Sequence, residues 1–231
     1  MVVSWQFGYG TKFANVKTLL ESLKNRFETQ ESLPKIILVD NCCQWRDCLQ
    51  TIFIAAIILL DLFHAVLRIT STIPKKKGAT IQFRLLRKQL VRSFKMVFRS
   101  YDDMGPSREK PTPSPEIIEG NIDKFLRQWK DVKCDDVQLI SKKTNEAIDN
   151  LLVHVRKGCL SNIPPSAGTN RNEGLHRILN KTFRKSRIGL QSAIALLGKF
   201  FYRWNQLRQS TKLKVIKPIE HWKKNFVSLF N

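Results

Sequence analysis

Two short apolar runs that each end in an aspartate constrain this chain more than any other feature. The first run, Ile36–Val39, precedes Asp40, and the second, residues 55–60, precedes Asp61. Runs of this length with no polar face are typical of strands that are buried on both faces of a sheet. Residues 45–53 between them have apolar side chains at helical spacing, so we predict a strand, a helix and a parallel strand.

Both aspartates and a nearby histidine are candidate site residues. The carboxyl ends of neighbouring parallel strands meet at one edge of a sheet, where open α/β sheets bind their ligands. Asp40 and Asp61 are predicted at that edge. His64 follows Asp61 by three residues, so a helix that begins after Leu60 would carry both side chains on one face.

The charge of the chain favours a polyanionic partner. Forty Lys and Arg residues against 19 Asp and Glu give a formal net charge of +21. Such an excess suits nucleic acid or an acidic membrane surface, and the interleaving of basic residues with apolar helical positions favours nucleic acid. We expect no membrane partner, because the longest apolar run, residues 52–60, is far shorter than the roughly 20 residues that span a bilayer, and no secretory signal is recognisable.

The five cysteines predict a reducing, intracellular environment, because their number is odd and no CxxC pair is present. We expect Cys42, Cys43 and Cys48 to pack as small apolar side chains beside the strand before Asp40. The alternative is a zinc site that draws on these three cysteines and on His64, although no ligand spacing supports it.

The rest of the chain is predicted to be mostly helical and basic. Residues 2–8 favour a short strand and residues 11–27 a helix, and no strand pattern follows residue 68. Helices are predicted at residues 81–101, 116–132, 137–159 and 188–207, with a proline-rich linker or exposed loop at 102–115. The polar faces of the first of these helices carry Arg84, Arg87 and Lys88, which are either solvated or contacts for a phosphate backbone.

A late acid lies in a second polar stretch, residues 162–181. Two prolines and Gly168 precede Thr169 and Asn170, either of which can cap a helix whose first turn contains Glu173. The basic residues near Glu173 in sequence are Arg171, Arg177, Lys181, Arg184, Lys185 and Arg187. A carboxylate in this setting is an ion-pair partner or a metal ligand, and residue type alone favours the ion pair.

Together these stretches resemble the DDE transposases of eukaryotic cut-and-paste elements, in the group of Mutator-like, hAT and P-element-like superfamilies. The matching segments are IILVDN, DLFH after an apolar strand, and GTNRNEGLHRILN. The resemblance implies that Asp40 is the second catalytic Asp and Glu173 the catalytic Glu. Asp61 and His64 would be the two ends of the family's Cys/Asp-x-x-His motif. His64 would orient a DNA strand, the phosphate or the metal shell; the alternative is a histidine satisfied within the core.

The resemblance also implies an α/β, RNase H-like fold of the retroviral-integrase type, with an all-α insertion between His64 and Glu173. Residues 1–69 would be the first part of this core, 70–160 the insertion, 161–209 the late-Glu helix and a packing helix, and 210–231 a basic C-terminal helix. Two Mg²⁺ or Mn²⁺ ions would be held in part by Asp40 and Glu173. The implied substrate is double-stranded DNA at element ends, in the nucleus. A homo-oligomer is compatible with this interpretation, and no small-molecule cofactor is expected.

One departure from the family pattern limits the activity that we expect. A DDE core begins with an Asp on its first strand, and no Asp precedes Asp40 in this chain. We therefore expect an N-terminally truncated core, lacking its first strand or strands, that binds metal poorly and does not catalyse by itself. The alternative is a non-catalytic, basic protein, derived from a transposase, that binds nucleic acid or associates with itself.

Overall fold

The computed structural model describes residues 12–102, 105–107, 109–165, 167–168, 170–183 and 189–210. Within these residues the fold is mixed α/β and mainly helical. The helices are α1 (Phe13–Thr29), α2 (Cys42–Gln50), α3 (Leu62–Thr72), α4 (Ile81–Met96), α5 (Pro115–Trp129), α6 (Lys142–Arg156), α7 (Asn170–Phe183) and α8 (Leu190–Ser210). The strands are β1 (Ile36–Val39), β2 (Ile57–Leu60), β3 (Tyr101–Asp102), β4 (Gly105–Pro106), β5 (Lys133–Cys134) and β6 (Val137–Gln138).

The chain divides into two compact units, and the larger, Lys12–Leu179, contains every element from α1 to α6 and most of α7. The helix α8 belongs to the other unit and confirms the helix predicted at residues 188–207. The strand predicted at 2–8 and the basic helix predicted at 210–231 lie outside the described residues, apart from Ser210 at the end of α8. Among the helices described, none combines the length and the apolar character that a bilayer-spanning helix requires.

The predicted strand, helix and parallel strand are confirmed by β1, α2 and β2. The two strands pair in parallel, with Ile36 opposite Ile57 and Val39 opposite Leu60. The pairing continues one residue further, because Asp61 N donates to Val39 O at 2.9 Å. The register of these two strands therefore fixes where their carboxyl ends, and the aspartates that follow, must lie.

Burial differs between the two strands. Residues 58–60 of β2 are at most 5% exposed, as predicted, whereas all four residues of β1 are only half-buried. The strand β2 has neighbours on both sides: β1 on one, and on the other Cys159, whose carbonyl accepts a hydrogen bond from Leu60 N at 2.8 Å. The prediction that β1 is buried on both faces is wrong.

The segment after α3 that was predicted to be an all-α insertion is mainly helical, but the expectation that it is all-α is wrong. Its helices α4, α5 and α6 confirm the three predicted ones with shorter ends, and they surround a core that includes Phe94, Ile122, Phe125 and Ile148. Two antiparallel hairpins, β3 with β4 and β5 with β6, interrupt them. Each strand in them has two residues, which is too short for an alternating pattern to be visible in the sequence.

The second hairpin also contacts the start of a helix through hydrogen bonds. Asp135 and Asp136 form its turn with φ values of 52° and 61°, a conformation that Asp adopts more readily than most residues. The Asp135 carboxylate accepts hydrogen bonds from Thr80 N at 3.2 Å and from Thr80 Oγ1 at the start of α4. These bonds lower the pKa of Asp135 from its ordinary value, with the Thr80 backbone N–H contributing most. The turn and α4 therefore hold each other in place.

The proline-rich stretch at 102–115 is exposed at residues 109–111, which agrees with the predicted alternative of an exposed loop, but it is anchored near its end. Its Thr112 is 7% exposed and is hydrogen-bonded to the segment between α6 and α7. Thr112 Oγ1 donates to Leu160 O at 2.6 Å and accepts from Ile163 N at 2.9 Å, while Thr112 N donates to Ile163 O at 3.0 Å. One threonine thus joins the chain entering α5 to the chain leaving α6.

We predict that Thr112→Val destabilises the fold, because it leaves Ile163 N and Leu160 O without their hydroxyl partner in a buried position. The free energy of unfolding should fall by about 1–3 kcal/mol, measured by urea denaturation. The matched control is Thr29→Val, whose exposed hydroxyl bonds only within its own helix and whose loss should change stability by less than about 0.5 kcal/mol. Equal stability of the two variants would contradict a stabilising role of the Thr112 hydroxyl.

Candidate functional site

The acids at the ends of β1 and β2 lie together. Asp40 follows Val39 and Asp61 follows Leu60, and those two residues are paired in the parallel register. His64 lies on α3, which begins directly after Asp61, as the sequence predicts. Ligand atoms of Asp40, Asp61 and His64 all lie within 4.8 Å of one another. The sequence prediction that these three residues share one sheet edge agrees with this arrangement.

His64 bridges the two carboxylates through one ring nitrogen. Its Nδ1 lies 2.7 Å from Asp61 Oδ2 and 2.9 Å from Asp40 Oδ1. A proton on Nδ1 therefore faces two acceptors, and it screens two carboxylates that would otherwise repel each other. The imidazole and the two carboxylates therefore orient one another.

The two acids differ sharply in exposure. The side chain of Asp61 is 0% exposed, and that of Asp40 is 55% exposed. Asp61 is the N-cap of α3, where its carboxylate accepts a hydrogen bond from His64 N at 3.3 Å. A buried carboxylate requires such partners. Asp61 is thus a structural and orienting group, whereas Asp40 presents its carboxylate to solvent, where an ion or substrate can reach it.

The loop before α7 passes directly against Asp61. A Cβ built on Gly168 would lie 3.4 Å from Asp61 Oδ1, and Gly168 has a φ of 147°. The φ value favours glycine at this position. Glu173 follows five residues later, in the first turn of α7, and its side chain is not among those that the structure describes. The backbone therefore brings the segment that carries Glu173 to the acidic edge, and convergence of Glu173 with Asp40 stays a prediction.

Sequence reasoning missed one basic residue at this edge. Arg68 donates from Nη2 to the backbone carbonyl of Asp40 at 2.6 Å and to the side-chain oxygen of Asn41. Arg68 follows Asp61 by seven residues and His64 by four, so all three share a face of α3. That spacing was the signal that could have identified it. Arg68 fixes the turn in which Asp40 lies.

This donor set suits a hard divalent cation. Asp40 offers a solvent-accessible carboxylate, and Mg²⁺ and Mn²⁺ take oxygen ligands while retaining several waters. Asp61 and His64 would orient that carboxylate instead of replacing it as ligands. The arrangement offers only part of a coordination sphere, so tight binding by Asp40, Asp61 and His64 alone is not expected.

Of the nine predicted DNA contacts, five have described side chains, and these are mostly exposed. Arg84, Lys88, Arg177 and Lys181 are exposed, whereas Arg87 is half-buried and donates from Nε to Pro74 O at 3.2 Å. Arg84 and Arg87 also line an open cleft of about 450 Å³ together with Lys75 and Lys76, which the sequence analysis did not select. The side chains of Arg171, Arg184, Lys185 and Arg187 lie outside the described residues.

We expect Asp61→Ala to destabilise the protein more than Asp40→Ala does. Loss of Asp61 removes a helix cap and a buried partner of His64, which should lower the free energy of unfolding by about 2 kcal/mol. Loss of the exposed Asp40 carboxylate should cost less than about 1 kcal/mol. Urea titrations of both variants measure the difference. Similar losses would contradict the division between an orienting acid and an accessible one.

No family model, curated protein or solved structure matches the chain. The functional interpretation of the acidic edge therefore rests on its geometry and on the chemistry of its side chains.

Proposed function

We propose that this chain is a transposase-derived, RNase H-like domain whose acidic edge takes part in divalent-metal chemistry on DNA. The observation that carries the proposal is the placement of Asp40 and Asp61 after two paired parallel strands, joined through His64 Nδ1. The approach of Gly168 to Asp61 supports it, because Glu173 begins the helix that follows. Ordered in sequence as Asp, Asp-x-x-His and Glu, these residues match the pattern of the resembled family.

Phosphodiester cleavage explains the residue types. A pair of Mg²⁺ or Mn²⁺ ions, when bound, activates the attacking water or 3′-hydroxyl and stabilises the leaving oxygen. Asp40 and Glu173 would supply carboxylate oxygens from separate elements, as hard cations require. His64 and Asp61 would keep the Asp40 carboxylate in one orientation. Phosphodiester cleavage and strand transfer are the activities of the complete family member.

The basic residues would hold the DNA. Exposed cations on α4 and α7 and in the cleft of Lys75, Lys76, Arg84 and Arg87 offer contacts for backbone phosphates. Such contacts fix the position of a duplex without reading its sequence. They suit a domain that acts on a phosphodiester bond at a site selected by other means.

The metal proposal predicts weak, saturable Mn²⁺ binding that depends on Asp40 and Glu173. Water-proton relaxation during Mn²⁺ titration should show binding by the unchanged chain and its loss in Asp40→Ala and in Glu173→Ala. Asp47→Ala is the matched control, since Asp47 is an exposed aspartate on α2, and it should bind Mn²⁺ as the unchanged chain does. Mn²⁺ binding that survives both substitutions would refute the proposed site.

Catalysis is a separate prediction. No Asp precedes Asp40 in this chain, so we expect nuclease and strand-joining assays with Mn²⁺ to remain silent for the chain alone. Gel assays of radiolabelled duplex DNA would measure this. Robust cleavage that Asp40→Asn abolishes would show that the carboxylates present are sufficient.

A second candidate function is non-catalytic binding of nucleic acid, and the basic cleft favours it. This function predicts salt-sensitive DNA binding that survives Asp40→Ala and Glu173→Ala. In fluorescence anisotropy at several salt concentrations, the double variant Lys75→Ala/Arg84→Ala should weaken binding and reduce the slope of log K against log salt by roughly 2. The control, Lys17→Ala/Lys24→Ala, removes two lysines that pair with acids on α1 and should leave the slope unchanged. Loss of binding with either acid would argue against this function.

A further inference from the structure

Three cysteines and a histidine lie close together in a cluster distinct from the acidic edge. Cys42 and Cys43 are the first two residues of α2, His154 lies in the last turn of α6, and Cys159 lies in the turn that follows. Their sulfur and nitrogen atoms all lie within 4.8 Å of one another. Two pairs that are 111 and 112 residues apart in sequence thus come together, Cys43 with His154 and Cys42 with His154.

The three distances among the ligand atoms of Cys42, Cys43 and His154 match the edges of a zinc tetrahedron. With Zn–S bonds of about 2.3 Å and Zn–N bonds of about 2.0–2.1 Å, tetrahedral ligands lie about 3.8 Å apart for two sulfurs and about 3.6 Å apart for sulfur and nitrogen. The Cys42 and Cys43 sulfurs are 3.9 Å apart. His154 Nδ1 lies 3.5 Å from Cys42 Sγ and 3.4 Å from Cys43 Sγ. Three of the six edges therefore fit one tetrahedral ion, and Cys159 Sγ lies within 4.8 Å of the other three ligand atoms.

The turn after α6 is built to return Cys159 to His154. Gly158 has a φ of 70°, which favours glycine, and its N–H donates to Val155 O at 2.8 Å. Cys159 N then donates to His154 O at 2.9 Å. This helix-ending turn brings together a sulfur and an imidazole that are five residues apart in the chain, as a ligand pair requires.

A cation next to the sulfurs balances their charge. Arg46 donates from Nη2 to Cys159 Sγ at 3.2 Å and to Ile58 O at 3.3 Å. One zinc ion with three thiolates and a neutral histidine has one net negative charge, which a guanidinium offsets. Cys42 and Cys159 are each 0% exposed, so this compensation occurs where uncompensated charge is costly.

We propose that Cys42, Cys43, His154 and Cys159 form a structural zinc site. Four protein ligands close the coordination sphere, which is typical of structural rather than catalytic zinc. The ion would join the start of α2, two residues after Asp40, to the end of α6. Because Cys159 O accepts from Leu60 N, the same turn also holds the residue before Asp61. The zinc would therefore help to fix both strand ends.

The site differs from the two sequence expectations for these cysteines. Cys42 and Cys43 are not merely small apolar residues, since their sulfurs face an imidazole nitrogen. The zinc alternative with Cys48 and His64 is wrong in its ligands, because Cys48 is outside the cluster and His64 contacts the acids. The residues that the structure brings to Cys42 and Cys43 are His154 and Cys159, a pair that no standard spacing reveals.

Metal analysis of the purified full chain tests the proposal. We expect one zinc per chain after refolding with Zn²⁺, and Co²⁺ substitution should give the absorption of tetrahedral, thiolate-bound cobalt. The variants Cys43→Ser and His154→Gln should bind zinc more than about 100-fold more weakly. Cys48→Ser and Cys134→Ser are matched controls, because both cysteines lie outside the cluster, and they should retain one zinc.

A second measurement guards against variants that fail to fold. A chelator should lower the melting temperature of the unchanged chain and of Cys48→Ser, and leave that of Cys43→Ser unaffected. Asp40→Ala should keep its zinc, which separates failure of this site from failure of the proposed function. Zinc content unchanged in Cys43→Ser and His154→Gln, or a Cys42 to Cys159 disulfide in the purified protein, would overturn the proposal.

Discussion

The parallel pairing of β1 with β2 is the constraint on which the acidic edge depends. It places Val39 opposite Leu60, so the residues that follow them, Asp40 and Asp61, cannot lie far apart. Two carboxylates at this spacing would repel each other, and one of them is fully buried. The structure resolves the conflict by inserting His64 Nδ1 between them and by using the buried acid as a helix cap. Asp40, the accessible acid, remains exposed to solvent.

Three segments that are distant in sequence from the two strands contact β2, Asp61 or the turn after α6. Cys159 O accepts from Leu60 N, so the end of α6 extends the pairing of β2. Thr112 joins the same segment to the chain entering α5. Gly168 then lies against Asp61 before α7 begins. Segments that are distant in sequence from the two strands therefore help to hold the strand ends.

The local elements could be predicted because their cause is local. Apolar runs of strand length identified β1 and β2, and apolar residues at helical spacing identified α1, α2, α4 to α6 and α8. The helix predicted after Leu60 corresponds to α3, and the capping residues before Glu173 predicted α7. The position of Asp61 after a strand predicted its proximity to Asp40. Features set by contacts across more than a hundred residues escaped detection, as with the Cys43 and His154 pair. The two-residue hairpins were too short to leave a pattern, and the half-burial of β1 depends on neighbours that its own sequence does not specify. The side chain of Glu173, and hence the full acid set, stays a prediction.

The hydrogen bonds of Thr112 bear on whether the helices α4 to α6 could be removed from the fold. A helical segment that contacts the rest of a fold only at its two ends can be replaced by a short linker at small entropic cost. Here Thr112, which lies between α4 and α5, is hydrogen-bonded to the segment after α6, and Leu60 N of β2 donates to Cys159 O in that same segment. Excising the helices α4 to α6 together with the turn after α6 would therefore remove a hydrogen-bonding neighbour of β2. The stability of β2 and that of this helical segment are thus linked through one turn.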